Sequence, residues 1–471
     1  MSELAQDITD AVLAASAADG CVVVTAEHSE TNLRWAANSL TTNGQMSSRS
    51  VTVISTFDRR GGTSVGVVTR SVATPDEVPE LVRAAEAAGR DAEPAQDAAP
   101  LLTPAQLGGA AEVTTSWDDD AARTDVAVFD ALTPQLAAAF AEWDAAGLLL
   151  YGFAEHQMTS YFVASSTGLR RRFDQPTGRL ELNGKSADLV RSTWSGHHTA
   201  TFADLDVPRS LDALRARLDW SRRRIELPAG RYETLLPATS VADLFVYAYW
   251  SASARDAMEG RNVFASASAP SGTRLGERLG PLPITLRSDP SYPGLECAPF
   301  EIATASSAGT QSVFDNGAPV PPARWITDGT LSELISTRAW AAESGAAPRP
   351  GVDNLIMECA GATESLDDLV AATERGLLLT SLWYIRQVDP QNLLLTGLTR
   401  DGVFLVEDGQ VRGAVNNFRF NESPVDLLGR VSGAGRTEHT LSREWSDYFT
   451  RTAMPALRVP DFNMSTVSPA T

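Results

Sequence analysis

The chain is poor in the residues that most often build metal sites and disulfide frameworks. Its 471 residues include three cysteines and five histidines. Because Cys21, Cys297 and Cys359 lie far apart in sequence, they cannot form a dense disulfide framework, and a reducing compartment is favoured. Neither H-E-x-x-H nor C-x-x-C occurs, so the local zinc signatures are absent, although a site assembled from distant residues stays open.

Positive charge is also scarce. Lysine and arginine number 39 against 59 aspartates and glutamates, which gives a formal net charge of −20. Such a surface repels phosphate backbones and anionic membranes, so we expect neither nucleic acid nor a membrane as a partner. The basic stretch 211–225 predicts an amphipathic helix whose arginines are solvated or paired within the chain.

Long hydrophobic runs are missing as well. No apolar segment approaches the roughly 18 residues of a membrane helix, and the first residues lack the basic and apolar regions of a secretion signal. Hydrophobic residues make up 43% and charged residues 21%, which excludes a wholly disordered chain. We therefore expect a folded, cytoplasmic protein.

The first part of the chain alternates between helical and strand-like periods. Helices are predicted from Ser2 to the Asp19-Gly20 step and over 77–88. Between them, Asn43-Gly44 and Gly61-Gly62 are predicted turns of a curved antiparallel sheet, whose strand-like runs are 21–25, 32–40, 50–57 and 63–69. The stretch 89–111, rich in Ala, Pro, Asp and Gly, is predicted to be a mobile insertion.

The next segments complete the predicted N-terminal domain. A helix over 134–147 precedes strand-like runs over 148–202. Their predicted breaks are Thr167-Gly168, Pro176-Thr177-Gly178 and Asn183-Gly184.

A Pro-Ala-Gly step at 228–230 marks the predicted domain boundary. We assign 1–226 to an N-terminal α/β domain and 227–471 to a mainly antiparallel, β-rich C-terminal domain. The latter carries one strong predicted helix over 241–258. The predicted fold class is α+β.

Two residues are candidates for a nucleophile. Cys359 ends an apolar run over 354–359, which is typical of a buried strand and favours a packing role. Ser307 lies in a small-residue stretch without the G-x-S-x-G pattern, so a tight turn is favoured there. A hydrolase that uses either residue is the third of three readings of the function.

Five motifs occur in an order that one family shares. They are RWAANSLTTNG (34–44), FDNGAP with WITDGTL (314–331), SLDDLVAATERG (365–376), GVFLVEDGQVRG (402–413) and MPALRVPDFNMSTV (454–467). In these motifs the chain resembles the TldD/PmbA family, in which TldD-type members are metallopeptidases and TldE (PmbA) members are metal-free relatives. The likeness covers nearly the whole chain.

The resemblance also points to a lost metal site. TldD-type members carry H-E-x-x-x-H before a Glu-Gly step, with two histidine ligands and a glutamate general base. Aligned on Glu259-Gly260, the ligand positions hold Ser251 and Asp256, and the general-base position holds Ala252. The family's further ligand, a cysteine, is missing from 443–455. The resemblance therefore implies a TldE-like member with neither catalytic residues nor a metal of its own.

The function implied by the resemblance is a non-catalytic, substrate-binding or scaffolding subunit of a cytosolic metallopeptidase complex. A TldD-like partner would supply zinc, and the substrates would be unfolded or flexible peptides. The alternative is a stand-alone peptide-binding or maturation protein, a homodimer without a peptidase partner. Candidate cleft residues, whose small size would permit backbone approach, are Thr304, Ala305, Ser306, Ser307 and Gly309. A tightly packed turn is the other interpretation of this segment.

Overall fold

Helices and strands alternate along the first half of the chain, and strands dominate the second half. The computed structural model describes residues 4–72, 74–107, 117–269, 272–305 and 309–469. The helices are α1 (Ala5–Ala15), α2 (Val78–Asp91), α3 (Pro104–Leu107), α4 (Thr133–Ala145), α5 (Val207–Trp220), α6 (Ala238–Trp250), α7 (Ala254–Met258), α8 (Arg338–Ser344), α9 (Leu366–Ala371) and α10 (Pro424–Leu428).

The strands form two sheets in the described residues. The first sheet contains β1 (Gly20–Ala36), β2 (Ser39–Arg59), β3 (Gly62–Ser71), β4 (Leu148–Ser165), β5 (Arg170–Ser186) and β6 (Ser192–Thr199). The second contains β7 (Arg224–Ile225), β8 (Gly230–Leu236), β9 (Ile284–Ser288), β10 (Ala323–Thr327), β11 (Thr330–Leu331), β12 (Leu355–Cys359), β13 (Arg375–Leu379), β14 (Leu382–Asp389), β15 (Leu394–Thr399), β16 (Val403–Glu407), β17 (Gln410–Val415), β18 (Phe418–Glu422), β19 (Gly433–Thr440) and β20 (Thr452–Val467). The predicted α+β class is confirmed.

The first sheet is antiparallel throughout, in the order β3-β2-β1-β4-β5-β6. Helices α1, α2, α4 and α5 cover one face, where alternate strand residues such as Val23 and Leu150 pack against them. On the opposite face, Val22, Val24 and Val163 pack against side chains from the second half of the chain, namely Phe300, Ala303, Val313 and Phe314. The first sheet therefore has a helical side and a side that faces the rest of the molecule.

One predicted turn of the first sheet lies elsewhere. Asn43-Gly44 is inside β2 and pairs with β1, whereas the chain reverses at Ala37 and Asn38, with φ of 48° and 63°. Asn38 suits this left-handed position, and its side chain accepts a hydrogen bond from the Leu150 N–H at 2.7 Å. The turn is thus fixed by the neighbouring strand β4, which lies more than 100 residues away in sequence.

Two predicted strand breaks are also absent from the structure. Residues 176–178 and 183–184 lie within β5, and the break at Thr167-Gly168 does separate β4 from β5. A Cβ on Gly178 would lie 2.6 Å from the Thr199 carbonyl oxygen, and one on Gly184 would lie 2.7 Å from the Trp143 ring. These glycines therefore permit close packing inside a continuous strand.

The stretch 89–111 begins inside α2 and then crosses the first sheet. Ala95, Ala98 and Leu101 pack beside Val22 and Val24, so 92–107 is in contact with the sheet. The predicted mobility of this stretch stays a prediction, and residues 108–111 lie outside those described.

Helix α2 approaches β3 unusually closely. A Cβ on Gly66 would lie 2.1 Å from the Ala85 carbonyl oxygen and 2.3 Å from the Gly89 nitrogen. Both atoms belong to the α2 backbone, which cannot yield as a flexible side chain can. Glycine at position 66 is therefore a packing requirement of this helix and sheet.

The second sheet is mixed and is organised around β20 and α6. Pairs β12–β20, β8–β13 and β7–β17 are parallel, and its other pairs are antiparallel. Strand β20 pairs with β8, β12, β18 and β19, and α6 packs in the same core through residues such as Phe245. The second sheet already includes β7, just before residue 227, while the two-domain division stays a prediction.

The structure has two helices where the sequence predicts one over 241–258. Helix α6 ends at Trp250 and α7 begins at Ala254. Between them, the Ala252 carbonyl accepts the Ile335 N–H at 2.7 Å, and the Ala254 N–H donates to the Ile335 carbonyl at 2.9 Å. Ser253 then caps α7 by accepting the Asp256 N–H. Backbone hydrogen bonds to Ile335 therefore take the place of helical hydrogen bonds between α6 and α7.

Candidate functional site

The three positions that the resemblance assigns to a metal site lie at the break between α6 and α7. Ser251 directly follows α6, Ala252 is 4% exposed, and Asp256 lies in α7. The Asp256 carboxylate accepts a hydrogen bond from Arg261 Nε at 3.1 Å. The Asn262 side chain donates to the Ser251 carbonyl at 2.8 Å. Hydrogen bonds within the chain therefore hold this break.

The residues at the break do not fit a zinc ion. A hydroxyl and one carboxylate paired with an arginine do not replace two imidazoles and a thiolate, and the methyl group of Ala252 cannot transfer protons. Among the residues that the structure describes, no three His, Cys, Asp or Glu side chains are grouped so that they could hold a metal ion. We assign no reaction step to a metal on this chain.

The structure brings one candidate cleft residue to the break. Ser253 Oγ donates to the Gly309 carbonyl at 3.3 Å. A Cβ on Gly309 would lie 2.9 Å from Ser253 Oγ and 3.2 Å from Asp256 Oδ2. Glycine at 309 therefore permits close approach of this segment to α7.

The other candidate cleft residues are not part of that contact. Thr304 and Ala305 are exposed, and Thr304 lines a cavity. Ser306 and Ser307 lie outside the described residues. Contact of any of these residues with a peptide stays a prediction.

A polar groove, which sequence analysis did not single out, lies on the side of the first sheet that faces the rest of the molecule. It consists of two cavities of about 300 Å³ each, which share Tyr161, Gln175 and Asp353. We call it the inter-sheet groove. Its walls come from 298–304, 351–353 and 446–451. Its floor consists of alternate residues of β4 and β5, namely Glu155, Gln157, Thr159, Tyr161, Gln175, Thr177 and Arg179.

Two arginines join the floor of the inter-sheet groove to its wall. Arg451 donates to Asp353 at 2.6 Å and to the Pro176 carbonyl at 3.3 Å, which ties the segment before β20 to β5. Arg179 of β5 pairs with Glu155 at 3.2 Å and also with Asp447 in the wall. Charge-assisted hydrogen bonds therefore fix the position of the groove between the two sheets.

The cysteine thiols lack the properties of activated nucleophiles. Burial raises the pKa of Cys21 to about 11 and that of Cys297 to about 12. Burial also raises the pKa of Cys359, and Glu364 adds to the effect. A nucleophilic thiol requires a lowered pKa, so the environment of Cys359 does not favour catalysis.

A buried carboxyl group on α6 holds the segment that carries the groove wall. Asp243 is fully buried, and its Oδ1 accepts hydrogen bonds from Ser442 Oγ at 2.6 Å and from the Glu444 N–H at 2.9 Å. Its Oδ2 has no hydrogen-bond partner among the described residues. Burial raises the pKa of Asp243 from 3.8 to about 7.

We expect Asp243→Asn to change the pH dependence of stability. As pH rises from 3.8 to about 7, the unfolded carboxyl loses its proton before the folded one does, so this group lowers the free energy of unfolding progressively. The amide keeps the Oδ1 contacts and removes this penalty. Urea unfolding at pH 8 should therefore show the variant to be more stable by roughly 1–3 kcal/mol, the gain shrinking toward pH 4. The control is Asp212→Asn, at an exposed position of α5, which should show no pH-dependent gain in stability. Equal pH profiles of stability for Asp243→Asn and the parent protein would contradict the expectation.

The fold and the candidate site together indicate the class of protein to which this chain belongs. A model described as the PmbA/TldA metallopeptidase C-terminal domain matches residues 229–466, which include the broken helix pair α6 and α7. The chain is thus a metallopeptidase-like protein. It belongs to the PmbA/TldD family, and the predicted family is confirmed.

Solved structures share the fold over nearly the whole chain. TldE from Thermococcus kodakarensis matches with a TM-score of 0.76 and 15% identity, covering 97% of this chain and 99% of that one. A protein of Thermotoga maritima, named as a candidate modulator of a DNA gyrase, matches with a TM-score of 0.71 and 17% identity, covering 97% and 99%. A search of curated proteins returns no match.

In the part of the chain that the structure describes, no helix is long and apolar enough to cross a bilayer.

Proposed function

We propose that this chain is the metal-free subunit of a two-chain cytosolic peptidase, in which a related chain with H-E-x-x-x-H supplies the zinc. The observation that carries the proposal is Ala252, which is buried at the position that the resemblance assigns to the general base. The likeness to a protein named TldE over 97% of this chain supports it. The chain would bind unfolded or flexible peptides and complete a chamber with its partner.

Reconstitution tests this proposal. The purified chain alone should contain less than stoichiometric zinc, measured by mass spectrometry of the metal, and should cleave no fluorescently labelled peptide. Cleavage should appear when an equimolar amount of the metal-bearing relative from the same cells is added. The matched control is that relative with the glutamate of H-E-x-x-x-H changed to glutamine, which should form the complex without cleaving.

Three results would contradict the subunit proposal. One is stoichiometric zinc in the lone chain, and another is full peptidase activity of the relative without this chain. The third is gentle affinity purification that recovers only this chain, which would favour the stand-alone homodimer.

A further inference from the structure

The surface of the inter-sheet groove presents carboxylates and conceals arginines. The Arg451 side chain is 5% exposed, whereas that of its partner Asp353 is 56% exposed. At the other end, Arg179 is 13% exposed and Asp447 is 67% exposed. A ligand entering the groove therefore meets carboxylate oxygens, because the guanidinium groups that balance them lie behind.

Unused hydrogen-bonding groups lie where the two cavities of the inter-sheet groove meet. Tyr161 and Asp353 line both cavities. Within the described residues, neither the Tyr161 hydroxyl nor the second carboxylate oxygen of Asp353 has a hydrogen-bond partner, since Arg451 binds only Oδ2. Burial raises the pKa of the Tyr161 hydroxyl, and the charge of Asp353 adds to the effect. The Tyr161 hydroxyl, which can donate and accept a hydrogen bond, and one carboxylate oxygen of Asp353, which can accept one, are therefore available to a ligand at the midpoint of the groove.

The groove is suited to a polypeptide. Each cavity holds about 300 Å³, the lower end of the size of small-ligand sites, and the two share three lining residues. On its floor, the side-chain amide nitrogens of Gln157 and Gln175 donate to Glu155 and to the Pro176 and Glu296 carbonyls, which leaves the side-chain carbonyl oxygens to accept N–H groups of an extended chain. Because these oxygens are acceptors, a ligand that carries N–H groups matches the floor better than an apolar ligand does.

We propose that the inter-sheet groove binds an extended peptide that carries an arginine or lysine, whose cationic group is held by Asp353 and the Tyr161 hydroxyl. This inference deepens the proposed function, on which it rests for the peptide nature of the ligand. The cation forms charge-assisted hydrogen bonds with the free oxygen of Asp353, and the peptide backbone lies along β4 and β5.

Fluorescence anisotropy with the full chain and a chemical series of peptides tests the proposal. The probe is fluorescein-labelled Gly-Ser-Gly-Arg-Gly-Ser, compared with the same peptide carrying citrulline, a neutral isostere, in place of arginine. Loss of one charged hydrogen-bonded pair should weaken binding by about tenfold or more for the citrulline peptide. N-acetylarginine amide, which has the cation without the chain, should compete at least tenfold more weakly than the unlabelled peptide.

Two variants test the assigned residues. Tyr161→Phe removes only a hydroxyl without a partner in the described structure, so the fold should be kept, and binding of the arginine peptide should weaken by about fivefold. Asp353→Asn should abolish the preference for arginine over citrulline. The matched controls, Tyr151→Phe on the same strand and Asp212→Asn on α5, should bind like the parent chain.

The peptide proposal is overturned if arginine and citrulline peptides bind equally, or if N-acetylarginine amide competes as well as the peptide. It is also overturned if Tyr161→Phe and the parent chain bind alike. These outcomes are separable from the proposed function: cleavage by the reconstituted pair without this preference removes only the groove proposal. Preferential binding by the lone chain, with no cleavage after reconstitution, removes only the subunit proposal.

Discussion

Ala252→Glu should destabilise the protein by more than about 3 kcal/mol and should not create a zinc site. The methyl group of Ala252 is 4% exposed and lies in the core around α6, with the Ile335 N–H bound to the residue's carbonyl. A carboxylate at that position would be buried among the apolar side chains of this core. The measurement is the free energy of unfolding in urea, together with the zinc content of the purified variant.

Ala138→Glu is the matched control for this experiment. Ala138 is an exposed residue of α4, so the same substitution there should change the free energy of unfolding by less than about 0.5 kcal/mol. Stoichiometric zinc in Ala252→Glu, or stability equal to that of the parent chain, would show that the break between α6 and α7 can still accept a general base.

Gly66→Ala should also be strongly destabilising, by about 3 kcal/mol or more. The added methyl group would lie 2.1 Å from the Ala85 carbonyl oxygen, so α2 would have to move away from β3. The core between them, which includes Leu81, would then open. Urea unfolding and hydrogen exchange of the α2 amides would measure the loss of stability and its location.

Gly61→Ala makes the same chemical change in the neighbouring turn. There the nearest atom to the new methyl group would be Pro94 Cγ, at the ordinary contact distance of 3.8 Å. Its stability should stay within about 0.5 kcal/mol of the parent. If Gly66→Ala behaved like Gly61→Ala, the close approach of α2 to β3 would not be a feature of the protein in solution.

Much of the fold could be predicted because its elements have local signals. The alternation of residues 20–71 predicts antiparallel strands, and the small-residue and polar breaks at Gly61-Gly62 and Thr167-Gly168 are real turns. Asn43-Gly44 has the same local signal, but pairing of β2 with β1 keeps it extended. A two-residue pattern cannot show whether a neighbouring strand is present.

Less of the candidate site than of the fold could be predicted from the sequence, because the site's contacts join residues that are far apart in the chain. The break after Trp250 depends on Ile335, and the inter-sheet groove combines β4 and β5 with segments near 300, 352 and 448. A signal was nevertheless present in β4. Polar residues at every second position, Glu155, Gln157 and Thr159, indicate a strand face that no helix covers.

The position of β20 has a consequence for how the protein is made. This strand, at residues 452–467, pairs with β8, β12, β18 and β19, and so joins parts of the second sheet that were synthesised much earlier. Until residues 452–467 have left the ribosome, β8 and β12 lack their shared neighbour. The first sheet, whose strands end at Thr199, can pair before then. The nascent chain must therefore carry an open second sheet from the emergence of β8 until that of β20, and in that interval chaperones can shield its unpaired strand edges.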